Sequence, residues 1–168
     1  YEADKPAYLI VNSRNGSIHA NENFISGRQQ LNDNTNVYVY IEAQEKPISA
    51  GILENGTIET SKDNAEGANA CAAWRFADGT TTVNLRYGIS FISEEQAEKN
   101  LHRELKDYNI KALAEAGRQI WNETLGRIQV EGGTEDDKTV FYSSFYRTFE
   151  RPICCLLYTS PSPRDSTS

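Results

Sequence analysis

The sequence predicts an α+β fold, with strands first and helices after. Three observations carry this. β-forming runs punctuated by Asn- and Gly-rich turn signals fill residues 1–92. The alternation of the last such run gives way at Ser93 to apolar spacings of three and four. Helix-capping signals then recur at Ser93 and Thr134. Strands followed by helices, without interleaving, mean α+β or two separate domains.

The elements are expected in this order. Ala7-Tyr8-Leu9-Ile10-Val11 reads as a strand ending in the turn signal Asn12-Ser13-Arg14-Asn15-Gly16. Val37 to Ile41 is almost pure β-former, between Asn-rich sequence and Pro47. Ile48 to Leu53 precedes Asn55-Gly56, the strongest hairpin dipeptide. Lys62 to Asn69 is polar and rich in Gly and Ala, and reads as a surface loop. Asn69 to Phe76 and Thr80 to Phe91 read as strands joined by a tight hairpin at Asp78-Gly79. In the second of these, Val83, Leu85, Tyr87, Ile89 and Phe91 alternate with more polar residues, marking one buried face. Strands at this density suggest an antiparallel sandwich.

From Ser93 the pattern is helical. Ser93-Glu94-Glu95-Gln96 forms a capping box, and Ala97, Leu101, Leu105 and Tyr108 make one stripe. Asn109 is placed to interrupt it. A second stripe runs from Ile110 through Trp121 and Leu125 to about Ile128. Glu131-Gly132-Gly133 breaks it, and Thr134 caps a third helix with Glu135, Asp136 and Asp137 in its first turn. Val140, Phe141, Ser144, Phe145, Thr148 and Phe149 form that helix's apolar face, and Pro152 ends it.

Composition narrows the function classes. The net charge is −7, which argues against a nucleic-acid partner, since phosphate binding needs clustered Lys and Arg. No apolar run approaches the roughly 20 residues of a membrane-spanning helix. Cys155 to Asp165 matches, residue for residue, the translation of a transposon-end adapter used in sequencing libraries, and Cys154 is compatible with its first base. The natural frame is therefore expected to stop near Ile153, with 154–168 an adapter-derived disordered tail. With Tyr1 first and no Met, the chain reads as an internal piece of a longer protein. Cys71 is then the one secure cysteine, in a small apolar context, and reads as a buried inert thiol.

No constellation amounts to an active site by itself. Glu131, Glu135, Asp136 and Asp137 could pair as acid and base, but a solvated helix start explains them. Trp121 fits the helical core stripe, with sugar stacking as its alternative. Trp74 reads as core or as a sugar platform. His19 reads as a surface residue, and neither it nor His102 sits at metal-ligand spacing. Three glycosylation sequons, at Asn15, Asn55 and Asn122, are short patterns that often occur by chance.

Function comes from a resemblance. Val83 to Ser93, then Glu95-Gln96-Ala97 and Asn100-Leu101, resemble the domain junction of the glycoside hydrolase family 92 α-mannosidases. Trp121-Asn122-Glu123-Thr124-Leu125, Ile128 to Gly132, Lys138 to Arg147 and Pro152 are similar to the same family, in its order and spacing. The resemblance implies the end of an N-terminal β-sandwich at 1–92, linker helices at 93–131, and the start of an (α/α)6 catalytic barrel at 132–153. It implies calcium-assisted, inverting removal of terminal α-linked mannose from glycans, with a Glu as acid and an Asp as base. Those residues and the calcium ligands fall downstream in the family. No catalytic or metal-binding residue is therefore expected in this chain, and the isolated chain is expected to be inactive and partly unfolded or aggregated. The resemblance implies a secreted or periplasmic parent. A non-catalytic carbohydrate-binding or scaffolding β-sandwich protein is the alternative. Linkage specificity and oligomeric state are not readable from the sequence.

Overall fold

A computed structural model describes residues 4–149; Pro152, Ile153, Cys154 and the tail expected from the adapter match lie outside the described residues. Seven strands precede three helices: β1 (Tyr8–Ala20), β2 (Ile25–Asn32), β3 (Thr35–Ala43), β4 (Ser49–Glu54), β5 (Thr57–Glu59), β6 (Asn64–Arg75), β7 (Leu85–Ser90), α1 (Glu94–Glu104), α2 (Ile110–Leu125) and α3 (Glu135–Arg147). The expected α+β order is present. The described residues divide into two compact units, with the boundary between Tyr108 and Asn109.

In the first unit the strands form one antiparallel sheet in the order β5-β4-β6-β1-β2-β3-β7. The Asn55-Gly56 hairpin is as expected: Glu54 pairs with Thr57, with φ of 49° and 81° at the two loop residues. Three other expectations fail. Asn12 to Gly16 is no turn, because β1 runs straight through it. Up to Ser13 the odd-numbered side chains face inward, and from Gly16 the even-numbered ones do. Asn15, at φ 48°, makes the switch within the strand. The left-handed tolerance that marks Asn as a turn residue is used here to reverse a pleat. On β6, Gly67, the partner of the next residue Gly16, has φ 140°, so both strands change faces together and keep their register.

Second, most of the expected Lys62–Asn69 loop is strand, since β6 starts at Asn64 and pairs along β1 from His19. Its small polar side chains are exposed, which hides the strand from a hydrophobic pattern. Third, Asp78-Gly79 turns the chain but closes no hairpin. β6 lies between β4 and β1, whereas β7 pairs with β3 at the far edge. The strand expected over Thr80–Phe91 shrinks to Leu85–Ser90. β2 gives no strand signal in the sequence, because Ser26-Gly27-Arg28-Gln29-Gln30 carries no apolar alternation.

The main core gathers Ile18, Ile25, Ile52, Ala72, Trp74 and Phe76. Trp74 is fully buried, and its Nε1 donates to the Asn21 carbonyl at 2.7 Å. Burying such a side chain contributes on the order of 1.5–3 kcal/mol or more. A second cluster forms where α1 lies on the sheet, with Tyr40, Ala97 and Leu101 at its centre and Phe24, Tyr38 and Leu105 around them. α1, grouped by the sequence reading with the linking helices, is thus packed on the strands. It touches the face of β7 that carries Gly88 and Ser90. The alternating apolar face expected to be buried is the open one: Tyr87 is 59% exposed and Phe91 67%.

Ser93 caps α1 as expected, accepting from the Gln96 amide at 3.1 Å, but the Gln96 side chain donates to Asn100 instead of returning to the cap. The stripe ends early: α1 stops at Glu104, and Leu105 and Tyr108 follow it in extended or irregular chain.

In the second unit, Asn109 interrupts the helices and caps α2, accepting from the Ala112 amide at 3.0 Å. α2 ends at Leu125, short of Ile128. Thr134 and Asp137 form a reciprocal capping box on α3. Neither helix has a buried residue. The α3 face expected to be buried is open at its start, with Val140 66% exposed.

Two outcomes follow. A Cβ on Gly88 would stand 2.1 Å from the Ala97 carbonyl oxygen and 2.9 Å from the Leu101 Cβ. Gly88→Ala is expected to lose about 1–3 kcal/mol, read as a lower urea midpoint, through displacement of α1. Amides from Val140 to Phe149 are expected to exchange far faster than those of Ala72 to Phe76, measured by hydrogen exchange on soluble monomer.

Candidate functional site

The densest polar constellation joins β3, β7 and α1 in the first unit. Glu42 and Arg86 are register partners on β3 and β7. Arg86 donates from Nε and Nη2 to one Glu42 oxygen at 2.8 and 2.6 Å. His102, on α1, places Nε2 2.8 Å from the other oxygen. Arg86 also donates from Nη1 to the Leu105 carbonyl at 3.0 Å, which closes the end of the helix, and its guanidinium lies 4.9 Å from the Tyr108 ring centre. Ser26 adds a tie at the other end of α1, donating to Glu94 at 2.6 Å.

The side chains of Glu42 and Arg86 are only 16% and 17% exposed. Burial alone would raise the Glu42 pKa. Hydrogen bonds from His102 and Arg86, with their charge, outweigh it and hold the carboxyl below the ordinary carboxylate range. Tyr40 lies alongside, its ring stacked 4.9 Å from Phe24 and edge-on to His102. Burial first, then the charges of Glu98 and Glu42, push its pKa to about 12. A carboxylate so fully engaged is a poor general base, because its lone pairs already serve fixed donors. The constellation acts as a clamp holding α1 to the sheet. Beside it a groove of about 430 Å³ runs between β7 and α1, walled by Tyr87, Ile89, Leu101 and Leu105 with Asn100 and Glu104 at its rim.

The second unit holds a different feature. Trp121 on α2 meets Tyr146 at 4.5 Å and Phe149 at 5.7 Å between ring centres, both edge-on. With Leu125, Tyr142, Ser143 and Arg147 they line an open cleft of about 740 Å³. The Tyr142 hydroxyl donates to the Ile128 carbonyl at 3.0 Å. Such a cleft can offer aromatic edges and a guanidinium, but no carboxylate pair.

The other residues weighed from the sequence fall apart in space. Trp74 is core, which removes it as a sugar platform. Trp121 is half-buried against aromatic neighbours. Cys71 is partly buried; its Sγ lies 2.8 Å from Asn12 Oδ1, and burial pushes the thiol pKa up, away from nucleophile range. His19 is partly exposed, 3.6 Å from Asp63. Glu131, Glu135 and Asp136 are exposed, and Asp137 is held low by hydrogen bonds from the Thr134 backbone and hydroxyl, as a capping residue. Among the described residues no group of three or more His, Cys, Asp or Glu side chains is placed to hold a metal ion. Among the described residues no helix is long and apolar enough to cross a membrane. Sequence reasoning missed the Glu42–Arg86–His102 clamp. Its members are separated by 44 and 60 positions, so no local spacing announces them.

Comparison with known proteins adds what the geometry lacks. Residues 96–155 match the glycosyl hydrolase family 92 catalytic domain. An uncharacterized secreted glycosidase of Arthroderma benhamiae is 32% identical over 80 residues, 45% of this chain and 10% of its own length. A family 92 inverting mannosidase of Bacteroides thetaiotaomicron superposes with a TM-score of 0.68 at 29% identity, over 85% of this chain and 21% of its own. A family 92 α-mannosidase of the same organism superposes at 0.67, at 20% identity over 84% of this chain and 22% of its own, which speaks for the fold alone. This chain therefore spans about a tenth of the curated relative and about a fifth of the solved structures. The resemblance to family 92 rests on sequence and on fold alike.

Replacing Glu42 by Gln is expected to destabilise the first unit by about 1.5–3 kcal/mol, because Arg86 loses its charged partner. The pH dependence has a definite sign. Since folding lowers the Glu42 pKa, its contribution is complete at neutral pH and is lost as pH falls through the folded value. Urea midpoints measured against pH are expected to fall in acid for the wild type and to fall less steeply for Glu42→Gln.

Proposed function

We propose that this chain is part of a family 92 glycoside hydrolase that removes terminal α-linked mannose from glycans. One observation carries the reading. The family match covers the helices, while the likeness to an inverting mannosidase of known structure extends over 85% of the chain and so takes in the strands as well. In this proposal 1–92 is the end of an N-terminal β-sandwich, 93–131 the linker helices, and 132–153 the start of an (α/α)6 barrel. The clamp on α1 then has a mechanical use, since it fixes the first linker helix to the strand domain.

The proposed reaction is hydrolysis with inversion, assisted by calcium. It needs a Glu to protonate the leaving oxygen and an Asp to activate water on the opposite face of the sugar. The two carboxyl groups stand about 6.5–9.5 Å apart so that water fits between them. Calcium asks for six to eight oxygen ligands. The described residues hold no convergent ligand set of that kind, so they do not fit the ion, and no step through calcium is derived from them. The acid, the base and the calcium ligands are proposed to lie in sequence beyond this chain, and the chain is proposed to be inactive alone. The family resemblance and the secreted relative support a secreted or periplasmic parent.

The test has two arms. The uninterrupted reading frame beyond Ile153 is recovered, and the whole protein is assayed on α-mannosides with and without calcium, with the anomer of the released sugar followed by NMR. Calcium-dependent release of the inverted anomer is expected. Absence of a downstream barrel with paired carboxylates would leave the carbohydrate-binding alternative. The purified 168-residue chain, assayed in parallel, is expected to show no turnover above a heat-killed control.

A further inference from the structure

The chain contains the dipeptide Asn-Gly twice, at Asn15-Gly16 and Asn55-Gly56; both Asn residues are exposed and left-handed, at φ 48° and 49°, but the fold gives the two glycines opposite surroundings. Asn55 and Gly56 form the apex of the β4–β5 hairpin, and both are exposed, as is Thr57 after them. A Cβ built on Gly56 meets nothing within 4 Å, so the space around its backbone is open. Gly16 is buried in mid-strand. It pairs with Gly67 of β6 on one side, and on the other the β2 backbone comes so close that a Cβ on Gly16 would overlap the Arg28 carbonyl.

We infer that Asn55 is a site of spontaneous deamidation, while Asn15, in the same dipeptide, is protected by the sheet. The Gly56 backbone nitrogen attacks the Asn55 side-chain carbonyl carbon. The new N–C bond closes a succinimide as the bond from Cγ to Nδ2 breaks, and the departing amide takes the Gly56 amide proton to leave as ammonia. Water then opens the ring. Attack at the side-chain carbonyl leaves an ordinary aspartate in place of Asn55. Attack at the main-chain carbonyl leaves isoaspartate, with the backbone routed through the former side chain. No oxidant, metal or enzyme is required. Glycine favours the step because no side chain shields its nitrogen. Ring closure does require the Asn–Gly peptide to rotate out of ladder geometry. At the hairpin apex only a two-residue loop resists this. At Gly16 the β1 ladder with β6 and the close contact with β2 must open first.

The consequence is local. β5 has only three residues and is an edge strand of the sheet. Lys62 ties the hairpin by contacting both Glu54 oxygens, at 2.8 and 2.7 Å. Isoaspartate would lengthen the main chain inside a loop whose length sets the Glu54–Thr57 register. Either product adds a negative charge beside Glu54. The inference concerns the strands alone and is independent of the proposed activity.

The experiment uses the full chain, incubated in mildly alkaline buffer made with 18O water, and reads each site by peptide mapping. Label at Asn55 is expected to accumulate at least about tenfold faster than at Asn15, the margin set by the cost of opening the ladder. In denaturing urea the two rates are expected to converge, since the dipeptides are identical. Asn55→Gln is expected to abolish label at position 55 and leave Asn15 unchanged. Equal rates in native buffer, faster labelling at Asn15, or a ratio unmoved by urea would each overturn the inference.

Discussion

The contact on which the first unit depends is the approach of α1 to β7 over Gly88. A helix can lie this close to a strand only where the strand offers no side chain, and the Ala97 carbonyl occupies the place a Cβ would take. The approach brings Ala97 and Leu101 onto the rings of Tyr40 and Tyr38, and it brings His102 within reach of Glu42. The apolar contacts favour docking without regard to the orientation of the helix. The hydrogen bonds from Arg86 to Glu42 and to the Leu105 carbonyl supply direction. Without Gly88 the helix would stand off, and the clamp would be left as exposed ion pairs of small worth.

The same contact explains why part of the sheet was misread from its sequence. Alternation along Val83 to Phe91 identifies two faces correctly, but hydrophobicity does not decide which is covered. The covered face holds Gly88 and Ser90, whose smallness admits a helix. The open face holds Leu85, Tyr87 and Ile89. Elsewhere the limits have other physical origins. Asn15 in β1 shows that left-handed tolerance marks a place where the chain can change direction, without saying whether the change is a turn or a reversal of faces. β2 is a strand because β1 and β3 pair with it on both sides, and the first half of β6 because β1 pairs along it, while their own residues carry little apolar signal. Where a local interaction suffices, sequence and structure agree: the Asn55-Gly56 hairpin and the caps at Ser93 and Thr134 need only residues a few positions apart.

The candidate sites divide along the same line. Dismissing the acidic cluster needed only the chemistry of a helix N-terminus, and the Thr134–Asp137 box agrees with it. The Glu42–Arg86–His102 clamp needed the strand order and the docking of α1 together, so no spacing could reveal it. Function was legible in a third way, through motifs kept in order over many residues. Within the described residues those motifs include helix caps and packed aromatic side chains, such as Ser93 and Trp121. They identify a family resemblance, and a shared scaffold does not by itself assign chemistry to particular residues.

The apolar surfaces left open carry the last step of the argument. The face of β7 and the faces of α2 and α3 are patterned as regularly as the buried core, yet Tyr87, Ile89, Ile120 and Val140 are all largely exposed. Isolated apolar residues at a surface are ordinary, but a periodic stripe along an element is not. α3 also has a complete capping box, so its helical form is locally specified even where burial does not stabilise it. Local signals therefore decide that α3 is a helix, while burial would decide whether it persists. Short helices without tertiary burial are marginal in water. In the first unit both requirements meet at α1, which is capped by Ser93 and buried through Ala97 and Leu101. Among the described residues the second unit meets only the first of them, so capping specifies its helices without a fully buried side chain to hold them.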